Sequence, residues 1–284
     1  MAMDYANEIA KAALEIGAIT LSPRAPYTWA SGKKMPIYND NRKHLSYLKN
    51  RLLIRDAFLD LIDKNGIEVE AISGTTTAGI APAASVAQAL GVPLNFIDKP
   101  TDPISGDWIY QHSPEFTLGL VDKIPKENCD AIVSTCPAAI PAGVFAANLR
   151  GLPFAYIRET EKKHGLQQRV EGVLKPGQRI ILVDFNNQYS YVERPDYTPA
   201  PELTKIMGKG ARESLEDMGL EIVSVVSEDI FPLRSGEPDL RKQKTLQIED
   251  LVSYAGSCIG EIEKYRKFGS VVEWCLAIFS YDFP

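Results

Sequence analysis

Apolar positions along this chain fall alternately into helical and strand periods. Residues 4–16 repeat apolar side chains at helical spacing and stop at Gly17, so an amphipathic helix is expected there. From Gly17 to Arg42, apolar and polar residues alternate around Pro and Gly, as short strands and turns do. Leu52, Leu53, Phe58, Leu61 and Ile62 make the apolar stripe of a second helix over Leu48–Lys64. Ala71–Ile80 reads as a strand, a Gly/Thr loop and a helix start; a helix over Ala81–Leu90 and a strand over Val92–Ile97 follow. That βαβ pattern predicts a parallel sheet flanked by helices.

The pattern then recurs. Ala71–Ile97 aligns without a gap on Ala131–Ile157, with nine identities in 27 positions, where chance would give about two or three. Two unrelated βαβ units of similar pattern are the alternative. The end of the chain repeats more weakly. Arg179–Asp184 resembles Thr245–Asp250, and Gly210–Gly219 matches Gly260–Gly269 at both glycines. Placing Asp184 opposite Asp250 leaves Val183 where the later strand has Glu249. The order is first half twice, then second half twice, which nesting explains. An outer copy of residues 1–97 plus 241–284 (hood 1–45) is expected to enclose an inner, degenerate copy of residues 98–240. Ile97 and Thr245 are then expected on adjoining strands of one sheet.

The most suggestive stretch for chemistry is Ile248-Glu-Asp-Leu-Val-Ser-Tyr-Ala-Gly-Ser257. An apolar strand ends in two acids, and a loop of small residues leads into a helical pattern over Ile259–Phe268. Unpaired N–H groups at a helix N-terminus favour an anion such as a phosphate. Glu249 and Asp250 would hold the hydroxyls of an attached ribose, directly or through Mg²⁺. An ordinary strand–helix connection has the same pattern.

Composition narrows the partners. The 284 residues are 45% hydrophobic and 24% charged with a net charge of −6, which gives no support for a nucleic-acid surface. No apolar run reaches the roughly 18 residues of a membrane helix. The three histidines do not pair at i, i+4, and the four cysteines lack zinc-like spacing. Reduced thiols in a cytoplasmic protein are the expectation.

The 248–257 stretch resembles the ribose-phosphate motif of the phosphoribosyltransferases. Ala12–Arg42, with Thr-Trp-Ala-Ser-Gly and Pro-Ile-Tyr-Asn-Asp-Asn-Arg, resembles the N-terminal hood of orotate phosphoribosyltransferase. The resemblance implies a phosphoribosyltransferase-type α/β fold and transfer of phosphoribosyl from phosphoribosyl pyrophosphate (PRPP) to orotate, with Mg²⁺ held through substrate and by Glu249 and Asp250. It places Thr75, Thr76, Thr77, Ala78, Gly79 and Ser253 on the orotate and pyrophosphate side. Arg158, Lys99, Glu249, Asp250, Ser253, Tyr254, Ala255, Gly256 and Ser257 fall on PRPP. Ser31, Gly32, Lys33 and Arg42 belong to the hood. Lys162, His164 and Asp250 are the implied catalytic groups.

Departures accompany it. Arg158-Glu-Thr-Glu-Lys-Lys-His-Gly165 resembles the family's mobile loop but lies in the inner copy, with Glu159 where the family usually has Lys. Tyr254 and Ala255 replace smaller residues of the phosphate cup. In the inner copy Thr135-Cys-Pro-Ala-Ala139 replaces Thr75–Gly79, losing a donor at Pro137 and a glycine at Ala139. The expected protein is a pyrimidine-synthesis enzyme acting as a homodimer or internal pseudo-dimer. Its alternative is a non-catalytic relative binding PRPP, a nucleotide or a protein partner.

Overall fold

The computed structural model describes residues 3–29, 32–98, 108–158, 169–185, 208–226, 240, 242–252 and 256–280. Helix α1 (Tyr5–Glu15) starts at Asp4, whose carboxylate accepts from the Asn7 N–H, and ends before Gly17 at φ +64°. The hood follows as two small antiparallel pairs. Strand β1 (Ile19–Leu21) pairs with β4 (Ile37–Asn39), and β2 (Tyr27–Thr28) with β3 (Lys34–Met35). A 3-10 turn, Asn41–Ser46, leads to α2 (Leu48–Lys64). Its buried face is Arg51, Ile54, Ala57, Phe58 and Ile62, whereas Leu61 is exposed. The expected stripe is therefore rotated, because Arg51 reaches across to donate to Asn148 and to the Leu152 carbonyl.

The elements that follow are β5 (Ala71–Gly74), α3 (Ile80–Leu90), β6 (Leu94–Asp98), β7 (Trp108–His112), α4 (Pro114–Asp122), β8 (Ala131–Ser134) and α5 (Ile140–Arg150). Then come β9 (Phe154–Ile157), β10 (Val170–Glu171), β11 (Arg179–Val183), α6 (Gly208–Asp217), β12 (Glu221–Val226), β13 (Thr245–Val252), α7 (Gly256–Lys267) and β14 (Cys275–Ser280).

They form two five-stranded sheets of one topology: β7-β6-β5-β13-β14 and β10-β9-β8-β11-β12. Each has four parallel strands and one antiparallel edge, β7 on β6 and β10 on β9. Registers also correspond. Ile72 faces Leu94 as Ile132 faces Phe154, and Gly74 faces Ile248 as Ser134 faces Val183. The registers correct the sequence alignment by one residue: Asp184 stands at the position of Glu249, and Phe185 at that of Asp250. Two further expectations change. Ile97 and Thr245 share a sheet, but β5 lies between their strands. Strand β7 belongs to the first sheet, so a division by sheets falls after His112 and not after Ile97.

Strand and helix approach closely in both halves, with the small residue exchanged. A Cβ on Gly74 would lie 2.9 Å from the Ala83 Cβ, and a Cβ on Gly143 would collide with the Ser134 Oγ. The Gly/Ala pair of the first half is thus a Ser/Gly pair in the second. Helices α3 and α5 pack against each other, where Asn148 donates to Ser85 and to Gln88. One continuous core holds Ile72, Ile80 and Phe96 together with Ile132, Ile140 and Phe154, so the halves are fused through their apolar faces.

Candidate active site

Two neighbouring strand ends of the first sheet bring the candidate groups together. After β5, Thr75–Gly79 turns into α3; after Ile248, β13 carries Glu249 and Asp250. The turn is anchored by its Thr75 N–H donating to the Ile248 carbonyl at 3.0 Å, and Gln247 Nε2 donates to Thr75 Oγ1 at 2.5 Å. Gly79 has to be glycine, since a Cβ there would lie 2.7 Å from both the Ile248 carbonyl oxygen and the Thr75 nitrogen. Thr76 donates its hydroxyl to the Ile97 carbonyl, and its N–H goes to the Glu261 carboxylate of α7 at 3.1 Å. A side-chain carboxylate therefore occupies one N–H of the turn that the resemblance places on the orotate and pyrophosphate side. Thr77 and Ala78 are half-buried.

The two acids differ. Glu249 is 5% exposed, and burial, reinforced by the adjacent Asp250, raises its pKa to about 9. Asp250 is half-buried and lines a small cavity with Asn41, Arg42, His44, Ala78 and Ile278. Its carbonyl accepts from Asn41 Nδ2 at 2.6 Å, so the hood turn sits directly on this strand end.

The hood cations differ in their surroundings. Lys33 and Lys34 are exposed around the hairpin whose Gly32 has φ +79°. Arg42 is 7% exposed and bound to Asp40 and Glu171, both at 2.5 Å. Burial opposes its charge, but the two carboxylates outweigh that and raise its pKa. Arg42 is thus committed to holding the hood and is not a free cation. Glu171, on β10, also accepts from Arg158 at 3.3 Å. Arg158 is the root of the expected mobile loop, closed by reciprocal bonds between Arg158 and Arg169. Lys99, Ser31, Lys162, His164, Ser253, Tyr254 and Ala255 lie outside the described residues; Gly256 and Ser257 open α7.

Sequence reasoning missed three groups here. Glu171 joins Arg42 of the first half to Arg158 of the second. Tyr156 on β9 is 2% exposed with no hydrogen-bond partner for its hydroxyl among the described residues, and it feels the charges of Glu171, Arg42, Asp250 and Arg158. A strand of the second sheet thus faces the first sheet's strand end. His44 is 1% exposed, with both ring nitrogens unpartnered in the same description. Short hood motifs carry no signal for contacts this distant in sequence.

The corresponding place in the second sheet is closed. Thr135 Oγ1 donates to Asp184 at 2.5 Å, Cys136 Sγ to the Phe185 carbonyl at 3.0 Å, and the Phe185 ring is 1% exposed.

These burials set opposite pH trends. Desolvation lowers His44 to about 4 and His112 to about 3, against about 6.5 when unfolded. Their contribution is therefore present above pH 6.5 and is lost as pH falls toward 4. Glu249 runs the other way, contributing fully below pH 4.5 and losing that contribution as pH rises toward 9. Urea unfolding across pH 4–9 should show both slopes. Glu249→Gln should flatten the alkaline one; an unchanged alkaline slope would place the titration elsewhere.

No protein-family model matches this chain. It is 28% identical over 249 residues to the orotate phosphoribosyltransferase of Staphylococcus saprophyticus, covering 88% of this chain and 85% of that one. The enzyme of the same name from Streptococcus sanguinis is 32% identical, over 64% of this chain and 58% of its own length. That of Staphylococcus aureus strain Mu50 is 53% identical over 92 residues, 32% of this chain and 45% of its own length. The chain thus spans most of the first relative but less than two thirds of the other two. Overlays on the orotate phosphoribosyltransferases of Mycobacterium tuberculosis H37Rv (13% identity, 98% and 97% coverage) and Francisella tularensis (11%, 97% and 86%) reach TM-scores of only 0.29 and 0.32. In sequence, this chain is similar to the orotate phosphoribosyltransferases of these bacteria.

Proposed function

We propose that this protein transfers phosphoribosyl from PRPP to orotate, giving orotidine 5'-phosphate and pyrophosphate. The observation that carries the reading is the meeting of Thr75–Gly79 with Glu249–Asp250 at adjacent strand ends, beneath the hood turn. In the reaction the ribose C1–O bond to pyrophosphate breaks, the bond to orotate N1 forms, and the N1 proton is lost. Positive charge develops on the ribose while negative charge grows on pyrophosphate. The protein must fix the ribose and receive that negative charge. Asp250, facing the cavity under Arg42 and His44, is the group for the ribose hydroxyls. The Thr75–Gly79 turn receives pyrophosphate oxygens once Glu261 releases the Thr76 N–H. The N-terminus of α7 suits the ribose 5'-phosphate.

Mg²⁺ fits this arrangement only as a substrate-borne ion. Among the described residues no group of three or more His, Cys, Asp or Glu side chains converges, so the protein would offer the ion at most the adjacent carboxylates Glu249 and Asp250. Mg²⁺ usually takes one or two carboxylates and completes its shell with phosphates and water; when bound it would neutralise charge on the departing pyrophosphate.

We further read the two sheets as nested copies, joined as two subunits would be. The second sheet supplies Tyr156, Glu171 and the root of the loop carrying Lys162 and His164, while its own site is sealed by Phe185. In this arrangement one chain holds one site and its internal partner. No helix among the described residues is long and apolar enough to cross a membrane.

Purified protein mixed with orotate, PRPP and Mg²⁺ should consume orotate, followed by its absorbance. Lys162→Ala should lower kcat by about 10²-fold or more while PRPP still binds. Absence of turnover with PRPP binding intact would instead establish a binding protein. Full activity of Lys162→Ala would remove the loop from the site.

A further inference from the structure

Two cysteines far apart in sequence meet beside the proposed phosphate-binding end of α7. Cys258 is the third residue of α7, is 5% exposed, and its sulfur lies 2.9 Å from that of Cys275, the first residue of β14. Cys275 is the more accessible of the two. Both are free thiols, as are Cys129 and Cys136, which are buried in the second half. A disulfide requires sulfurs about 2.05 Å apart, so closure needs an approach of just under about 1 Å.

We propose that Cys258 and Cys275 form a reversible thiol–disulfide pair, closed by exchange with a small-molecule disulfide, which shifts the first turn of α7 and weakens phosphate binding there. In the exchange one cysteine, as its thiolate, attacks the small disulfide and expels one thiolate. The neighbouring cysteine loses its proton and displaces the second thiolate from the mixed disulfide. Two protein thiols and one small disulfide thus become one protein disulfide and two small thiols, so atoms, protons and electrons balance. The hydrogen bond between the sulfurs favours the thiolate on Cys258, the form that attacks.

The consequence follows from position. Cys275 belongs to a strand held by β13, with Gln247 opposite it in register. The sheet is the heavier partner, and α7 is the element that moves. Its N-terminus is the group proposed to hold the 5'-phosphate, so this part of the inference rests on the proposed function. Misplacing a binding group by 1 Å costs affinity and rate steeply.

The protein would be incubated with oxidised glutathione and its thiols titrated after denaturation. Two of the four thiols should disappear, with peptide mapping joining Cys258 to Cys275, and dithiothreitol should restore them. PRPP affinity, measured by calorimetry, should fall about tenfold or more on oxidation and recover on reduction. Cys275→Ser should bind PRPP like reduced wild type and show no response to the oxidant. Retention of all four thiols, a disulfide involving Cys129 or Cys136, or unchanged PRPP affinity in fully oxidised protein would overturn the proposal. Reduced protein that fails to bind PRPP would refute the proposed function instead, while the thiol count and peptide map still decide whether the pair forms.

Discussion

Asp250→Ala is expected to lower kcat/KM for orotidine 5'-phosphate formation by about 10²–10³-fold, the range seen when one electrostatic contact to a transition state is removed. The expectation rests on the difference between the two acids. Glu249 is buried with its pKa raised to about 9, so near neutral pH it is a neutral hydrogen-bonding group. Asp250 reaches the cavity below the hood and is the carboxylate available to a ribose. The second sheet provides the control within the same molecule: at the matching register position it has Phe185, fully enclosed. Asp250→Phe should therefore be as inactive as Asp250→Ala and still fold. Steady-state kinetics with both substrates varied would check this. Activity within threefold of wild type in Asp250→Ala would show that the ribose is held elsewhere.

Glu171→Ala should have the largest effect on stability. Arg42 and Glu171 are 7% and 2% exposed, and Arg158 adds a second cation. Removing the shared carboxylate strands a buried guanidinium, which typically costs about 3–5 kcal/mol. Asp40 still faces Arg42 at 2.5 Å, which puts the expected loss toward the lower end. Glu171→Gln retains the hydrogen bonding but not the charge, so its loss should be smaller. Guanidinium unfolding would measure both. A loss below about 1 kcal/mol in Glu171→Ala would mean that the pair is no better than an exposed salt bridge. Because Glu171 ties the hood to the root of the loop, the Gln variant should also raise KM for PRPP more than it lowers kcat.

Much of this protein was determined locally. Helix α2 and the strand β5 with its Thr75–Gly79 turn follow from spacing and from glycine placement. The repeat was visible because identical residues recur at a constant offset. The acidic strand end at Glu249–Asp250 was also readable, since period and polarity change together there.

Other features were decided only by the tertiary structure, where residues distant in sequence meet. The alignment of β11 with β13 is one residue different from the sequence reading, because register is set by hydrogen bonds to β8 and β5 and not by matching the last acid. That shift turns a partly retained acidic pair into Asp184 followed by a buried phenylalanine. Arg42 read as a hood cation, yet a carboxylate 129 positions away consumes it. Tyr156 and the Cys258–Cys275 contact had no local pattern at all. Hydrophobic period reports which face of an element is buried, but it carries no information about which charge, hydroxyl or sulfur will be opposite. In this chain that choice was made when the two sheets closed on each other and α7 settled against β13, bringing Cys258 to Cys275 of β14.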